Sequence, residues 1–162
     1  MVLYLQLKEY PASYKCQSTG NVLGSYLEEL TADDLKKYLL DDRTLSKYIK
    51  VLDVRQKSDL SSCCFTKAYT HYAEGTGSVL QHNANESLKD QFNEFVHNGE
   101  EVSCLKGLQL RYFTPREVAN LMGFPVDFSF PECTSNKTRY RLLGNSLNVK
   151  VVAVLYRILM NK

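Results

Sequence analysis

Three small residues, Gly144-Asn145-Ser146, stand between a basic stretch holding Arg139 and Arg141 and the most apolar run of the chain, Val149 to Leu159. Asn145 or Ser146 can cap the helix that this run predicts, and Gly144 permits a φ or a close approach that other residues resist. A helix N-terminus with free N–H groups also suits an anion, a carboxylate or a phosphate. A plain cap and a ligand-binding turn are both consistent with these residues alone. Lys137, Arg139, Arg141, Lys150 and Arg157 surround the turn in sequence, and read either as a phosphate-binding face or as a solvated rim.

Other chemistry is thinly represented. The five cysteines, Cys16, Cys63, Cys64, Cys104 and Cys133, are irregularly spaced and include no CxxC pair, so neither a zinc site nor a disulfide framework is predicted. Neighbours on a strand point to opposite faces, which argues against a reactive Cys63-Cys64 pair. His71, His82 and His97 lack ligand-like spacing, and Glu74 beside Gly75 reads as a turn residue. No metal site and no catalytic residue is predicted.

The elements that would position these groups are mostly short. Thr31 caps a predicted helix carrying Leu35, Tyr38 and Leu39, and Leu45, Tyr48, Ile49 and Leu52 fall at helical spacing. Residues 63–69 suit a strand; Glu74 to Gly77 reads as a turn before a second strand at Ser78–Gln81. Asn85 caps a helix predicted over Glu86–His97, which Asn98-Gly99 stops. Thr114, Pro115 and Glu117 form a capping box, with Phe113 and Val118 as a hydrophobic staple and Gly123 ending the helix before Pro125. Residues 1–11 read as a strand or tail and Pro11–Gly24 as loop. The last helix, with Lys150, Arg157 and Asn161 on one stripe and apolar residues elsewhere, should be mostly buried. It needs a large neighbour that the preceding elements do not obviously supply.

With 162 residues, the chain suffices for one domain with a real core. Its 44% hydrophobic and 23% charged content is that of a soluble protein. No run approaches the roughly 18 apolar residues that mark a membrane span, and the N-terminus lacks the basic start and cleavage site of a signal peptide. The net charge of +2 requires any phosphate-binding cations to be clustered locally.

"LRYFTPREVANLMGFP" followed by "RYRLLGNSLNVKVVAVLYRIL" resembles the last two motifs of the cytosine-5 methyltransferases. "CFTKAYTHYAEGTGSVLQ" resembles the target-recognition stretch of their eukaryotic tRNA (aspartate) branch, itself similar to DNA methyltransferases. The resemblance covers about residues 26–162, strongest over 63–81 and 108–160. It implies an α+β fragment: a target-recognition region of short helices and a small β element, plus a C-terminal helix that packs on the α/β sheet of an S-adenosylmethionine-dependent methyltransferase. It divides the chain into a poorly matched segment 1–25, a target-recognition region 26–107 and closing motifs 108–162. It implies that Ser146, with Asn145 beside it, contacts S-adenosylmethionine, and that Thr114–Pro125 braces the recognition region. It places Cys64, Phe65, Thr66, Lys67 and Tyr69 on the RNA face. There Lys67 can meet phosphate, while Phe65 and Tyr69 can stack on a splayed base or pack the core. Ala68 and Thr70 stand where the family usually has glycines.

The family's Pro-Cys nucleophile, its Glu-Asn-Val tripeptide and its Gly-rich cofactor turn do not occur in the chain, and Lys15-Cys16-Gln17 lacks the proline. The resemblance therefore implies the C-terminal portion of a tRNA cytosine-5 methyltransferase, inactive alone, with tRNA, S-adenosylmethionine and an N-terminal catalytic half as partners and no membrane. A non-catalytic RNA-binding or regulatory module is the alternative, and DNA as substrate is a weaker third. The expected compartment is the cytoplasm, with the nucleus second.

Overall fold

A computed structural model describes residues 20–160. The expected strand or tail at residues 1–11, most of the 11–24 loop, the Lys15–Gln17 tripeptide and Asn161 lie outside the described residues.

A three-stranded sheet, ordered β1-β2-β3, organises the rest. β1 (Val54–Arg55) runs parallel to β2 (Val79–Gln81), with Val54 opposite Val79. β3 (Leu110–Tyr112) pairs antiparallel on the other side of β2, Leu80 opposite Arg111. All three residues of β2 are buried. Because side chains alternate along a strand, Val79 and Leu80 enter two different cores. On one side, Leu80 packs with Leu23, Tyr69, Phe113, Val118, Ala119, Tyr140 and Leu143. On the other, Val79 packs with Leu40, Leu45, Ile49, Phe95, Leu105, Leu108 and Leu110. Each fully buried Leu or Phe stabilises the fold by roughly 1.5–3 kcal/mol.

The helices that carry these residues follow local signals. α1 (Ala32–Tyr38) starts at Thr31, whose side chain accepts from the Asp34 N–H, as expected, and α2 (Asp42–Tyr48) starts at Asp41. α3 (Leu88–His97) begins later than predicted, with Ser87 and not Asn85 as its cap. The Glu86 carbonyl accepts instead from the buried Gln81 Nε2, at 2.7 Å. α4 (Pro115–Leu121) has the predicted capping box with both hydrogen bonds formed, and Phe113 and Val118 meet in one core. Two 3-10 segments, Leu23–Tyr26 and Val102–Leu108, complete the two cores.

Residues 63–69 are not the strand predicted. β2 is paired on both edges, so the sheet has no place for them beside it. The segment has no regular structure before it turns, and is tied by Cys63 N–H to Ser78 Oγ and Thr66 N–H to the Thr76 carbonyl. The expected second strand is β2, one residue shorter than predicted.

The last helix departs furthest from its expectation. α5 (Asn136–Gly144) packs on α4, but α6 (Val149–Met160) has no buried residue. Residues 136–160 together are long and apolar enough to cross a membrane by length and composition. The turn at Asn145–Asn148 nonetheless splits them into two helices shorter than the roughly 20 residues a span needs. The α+β expectation of short helices around a small β element holds.

Candidate nucleic-acid and cofactor surface

The turn after Cys64 and helix α5 build the candidate site together. Residues 67–70 form a turn closed by Tyr69 N–H to the Thr66 carbonyl. On α5, Lys137 and Arg141 are four residues apart and share a face. With Lys67 and His71 they line an open recess of about 400 Å³. All four side chains are exposed, and the ion pairs among the described residues engage none of the three cations. The recess is therefore electropositive and unneutralised, which suits a phosphate backbone.

The rest of the basic set is placed elsewhere. The Arg139 guanidinium lies over the Phe130 ring at 5.6 Å, and Lys150 lies over Tyr26 at 6.0 Å. Arg157 stands on α6 and lines a different recess, with Asn145 and Ser146. The five cations do not make one face; Lys137 and Arg141 join Lys67, which sequence spacing could not show.

Of the signature residues, Cys64 and Lys67 are exposed, Phe65 and Thr66 half-buried, and Tyr69 buried. Tyr69 belongs to the core. Its hydroxyl donates to the Ser78 carbonyl at 2.6 Å and accepts from the Phe113 N–H at 3.0 Å. Its ring meets Phe65, Tyr112 and Tyr140 edge-on. Burial pushes its phenol well above the usual range. Of the two readings open to this ring, packing replaces base stacking, because no face is left for a base. Phe65 also leans inward, 4.9 Å from Tyr69 and 5.4 Å from Phe113 between ring centroids.

Gly144-Asn145-Ser146 ends α5; it does not begin α6. Asn145 is the C-cap, with its N–H on the Arg141 and Leu142 carbonyls, and Ser146 sends both its N–H and its Oγ to the Leu143 carbonyl. The cap of α6 is Asn148, whose Oδ1 accepts from Val151 N–H while its Nδ2 donates to the Leu121 carbonyl. Val149 N–H bonds the Met122 carbonyl at 2.8 Å. The donors at the start of α6 are thus largely spent within the chain, and of the two readings left open the anion site at a helix N-terminus is not built there. The negative end of the α5 dipole faces the turn instead. Asn145 is exposed, and with Ser146 it edges an open, mostly apolar recess of about 690 Å³ floored by Leu147, Val149, Val152, Ala153 and Tyr156.

Cys63 is not poised for nucleophilic attack. Hydrogen bonding to Asp53, aided by burial, pushes the Cys63 thiol up and away from thiolate. No three His, Cys, Asp or Glu side chains converge as metal ligands among the described residues.

Comparison with known proteins places the arrangement. Residues 5–161 match the C-5 cytosine-specific DNA methylase family. The human tRNA (cytosine(38)-C(5))-methyltransferase is 47% identical over 140 residues, which make up 85% of this chain and 35% of that protein. A mutant DNMT2 of Spodoptera frugiperda superposes with a TM-score of 0.79 at 43% identity, covering 86% of this chain and 42% of that one. The Dnmt2 methyltransferase of S. pombe gives 0.75 at 39% identity, covering 86% of this chain and 41% of that one. The chain spans about two-fifths of the length of these relatives or less. A match across almost the whole chain, together with the superposable fold, places this protein in the C-5 cytosine-specific DNA methylase family.

Proposed function

We propose that this chain is the target-recognition and closing portion of an S-adenosylmethionine-dependent tRNA cytosine-5 methyltransferase acting on an anticodon-loop cytosine, position 38 in its relatives' names, of aspartate tRNA. Residues 26–107 carry recognition and residues 108–162 close the cofactor side. The observation that carries the reading is the convergence of Lys67, Lys137 and Arg141 on one recess along α5, the helix that ends in the Asn145–Ser146 turn. Three exposed cations can each neutralise a phosphate, and Cys64 and Thr66 border the same loop.

The residues at the turn fit the cofactor. Ser146 Oγ donates inward and keeps acceptor capacity, and the Asn145 amide is exposed. The negative end of α5 favours the cationic ammonium and sulfonium of S-adenosylmethionine over its carboxylate. Bound, that group would supply an electrophilic methyl. Ser146 and Asn145 would orient it from one side. The exposed apolar face of α6, Val151, Val152, Val154, Leu155 and Leu159, fits packing against the remainder of a longer enzyme, because contiguous apolar surface of this kind marks an interface. The compartment that follows is that of tRNA, the cytoplasm first and the nucleus second.

Filter binding of tRNA across a salt series tests the reading. Binding that weakens steeply with salt, exceeds that of duplex DNA and falls in Lys67→Ala, Lys137→Ala and Arg141→Ala is expected. The purified chain should transfer no tritiated methyl group. Absence of tRNA binding, or equal binding of duplex DNA, would overturn the proposal.

A further inference from the structure

We propose that Gly144 is a positioning residue for RNA recognition: it admits the Thr66–Lys67 backbone against the last turn of α5 and so sets Lys67 beside Lys137 and Arg141. The inference rests on the RNA-binding reading of that recess and adds a residue with no side chain to offer a ligand.

A Cβ on Gly144 would lie 2.1 Å from both the Lys67 N and the Thr66 carbonyl carbon, and 2.5 Å from the Thr66 O. No other described glycine is approached so closely; at Gly20, Gly75 and Gly99 a Cβ would meet nothing. Conformation does not explain the glycine, because Gly144 lies within α5 and its φ is not among the positive values. Glycine there costs roughly 1 kcal/mol in helix propensity relative to alanine. What it provides is contact between two backbones.

The contact cannot be relieved by a rotamer change. Carbon and nitrogen atoms settle about 3.5 Å apart, so a methyl group at Gly144 must drive the Thr66–Lys67 backbone off the helix by more than an ångström. The loop has no slack in which to do so. Thr66 N–H is bound to Thr76, the Thr66 carbonyl holds Tyr69 N–H, and Tyr69 is anchored in the core at both Ser78 and Phe113. The clash therefore breaks the turn that presents Lys67 while leaving Lys137 and Arg141, on α5 itself, in place. Because Gly144 directly precedes Asn145 and Ser146, one helix end holds the RNA-facing loop and the cofactor-facing turn in register.

The test is tRNA filter binding by the full chain, by Lys67→Ala, by Gly144→Ala and by the double variant, each over a salt series. Each single variant should weaken binding about fivefold at ~0.15 M salt and reduce the salt slope by about 0.7–0.9, the signature of one lost phosphate contact. The double variant should be no weaker than either single, since both remove the same contact. Effects that multiply, or a Gly144→Ala chain that melts earlier yet keeps the wild-type slope, would overturn the proposal. If the wild-type chain fails to bind tRNA, the RNA-binding reading falls and takes the proposal with it. If it binds while Lys67→Ala is unaffected, the proposal alone falls. Should Gly144→Ala not fold, amide spectra of the wild-type chain decide. The Gly144 and Lys67 amides should shift together on adding tRNA, and Lys67→Ala should abolish the Gly144 shift; a silent Gly144 amide would refute the coupling.

Discussion

Arg111 and Glu117 meet in a two-pronged ion pair at the centre of the molecule, Nη1 to Oε2 at 2.7 Å and Nη2 to Oε1 at 2.8 Å, with 1% and 0% of their side chains exposed. The carboxylate also accepts the N–H groups of Thr114 and Glu28, at 2.8 and 3.1 Å. The glutamate of the α4 capping box therefore ties that helix to β3 and to the segment before α1. Arg111 Nε faces His82 Nδ1 at 3.4 Å. Burial and the Arg111 charge hold the His82 imidazole below its ordinary value, leaving it neutral and able to accept.

Removing one half of this pair strands a charge in a dry interior, which costs about 3–5 kcal/mol. Glu117→Gln should lower stability by that amount in urea unfolding. The double replacement of Arg111 by Met and Glu117 by Gln should recover much of it, because it leaves no buried charge and keeps an acceptor for the Thr114 and Glu28 N–H groups. A loss below about 1 kcal/mol in Glu117→Gln would show that the pair is not closed in solution.

Thr70 offers the opposite sign. It sits at φ 68°, in the left-handed region, where a β-branched side chain is strained and glycine is not. The resemblance already identified this position as one where the family carries glycine. Thr70→Gly should therefore stabilise the chain by up to about 1 kcal/mol in thermal or urea unfolding, whereas Thr70→Val should give no gain.

These cases show which parts of the molecule were legible beforehand. The caps at Thr31 and Thr114 were, because donor and acceptor lie three residues apart and the signal is local. The sheet was not: β1 has two residues and β3 three, too short for any alternation, and β1 pairs with β2 across the whole intervening 56–78 segment. The Arg111–Glu117 pair was hidden for a related reason, since an arginine in a short apolar strand reads as a surface residue until its partner is known. Gly144 was legible as a position of either an unusual φ or a close approach, and only the structure decides for the second. The approaching group, the Lys67 backbone from a segment far off in sequence, was not legible. Tyr69 was open between stacking and packing, and only its two hydroxyl bonds decide.

The exposed face of α6 makes a solution prediction. Leu155 and Leu159 are 50% and 63% exposed, and no α6 residue is buried. The isolated chain should bind a hydrophobic dye strongly and self-associate at high concentration. Replacing both leucines with glutamate should suppress dye fluorescence and association while changing unfolding stability by less than about 0.5 kcal/mol. Marked destabilisation would show that α6 is covered by this chain itself.

Asp53 should make the β1–β2 junction acid-sensitive. Burial works to raise its carboxyl, but hydrogen bonds from Arg55, Ser78 and Cys63 outweigh it and hold the group at about 2. The ordinary carboxylate value in an unfolded chain is about 3.9. The folded state thus binds fewer protons than the unfolded state in this interval, and stability falls as pH falls. The contribution is complete above about pH 5 and lost as the carboxylate protonates near pH 2. The side chain is 29% exposed, so solvent screening limits the effect to about 1–2 kcal/mol. Asp53→Asn should accordingly be less stable than wild type at neutral pH by about that amount. The two unfolding curves should converge as the pH approaches about 2. A gap that persists unchanged into strong acid would mean that the Asp53 carboxylate does not hold Ser78, the residue to which Cys63 and Tyr69 are both hydrogen-bonded at the two ends of the 63–69 segment.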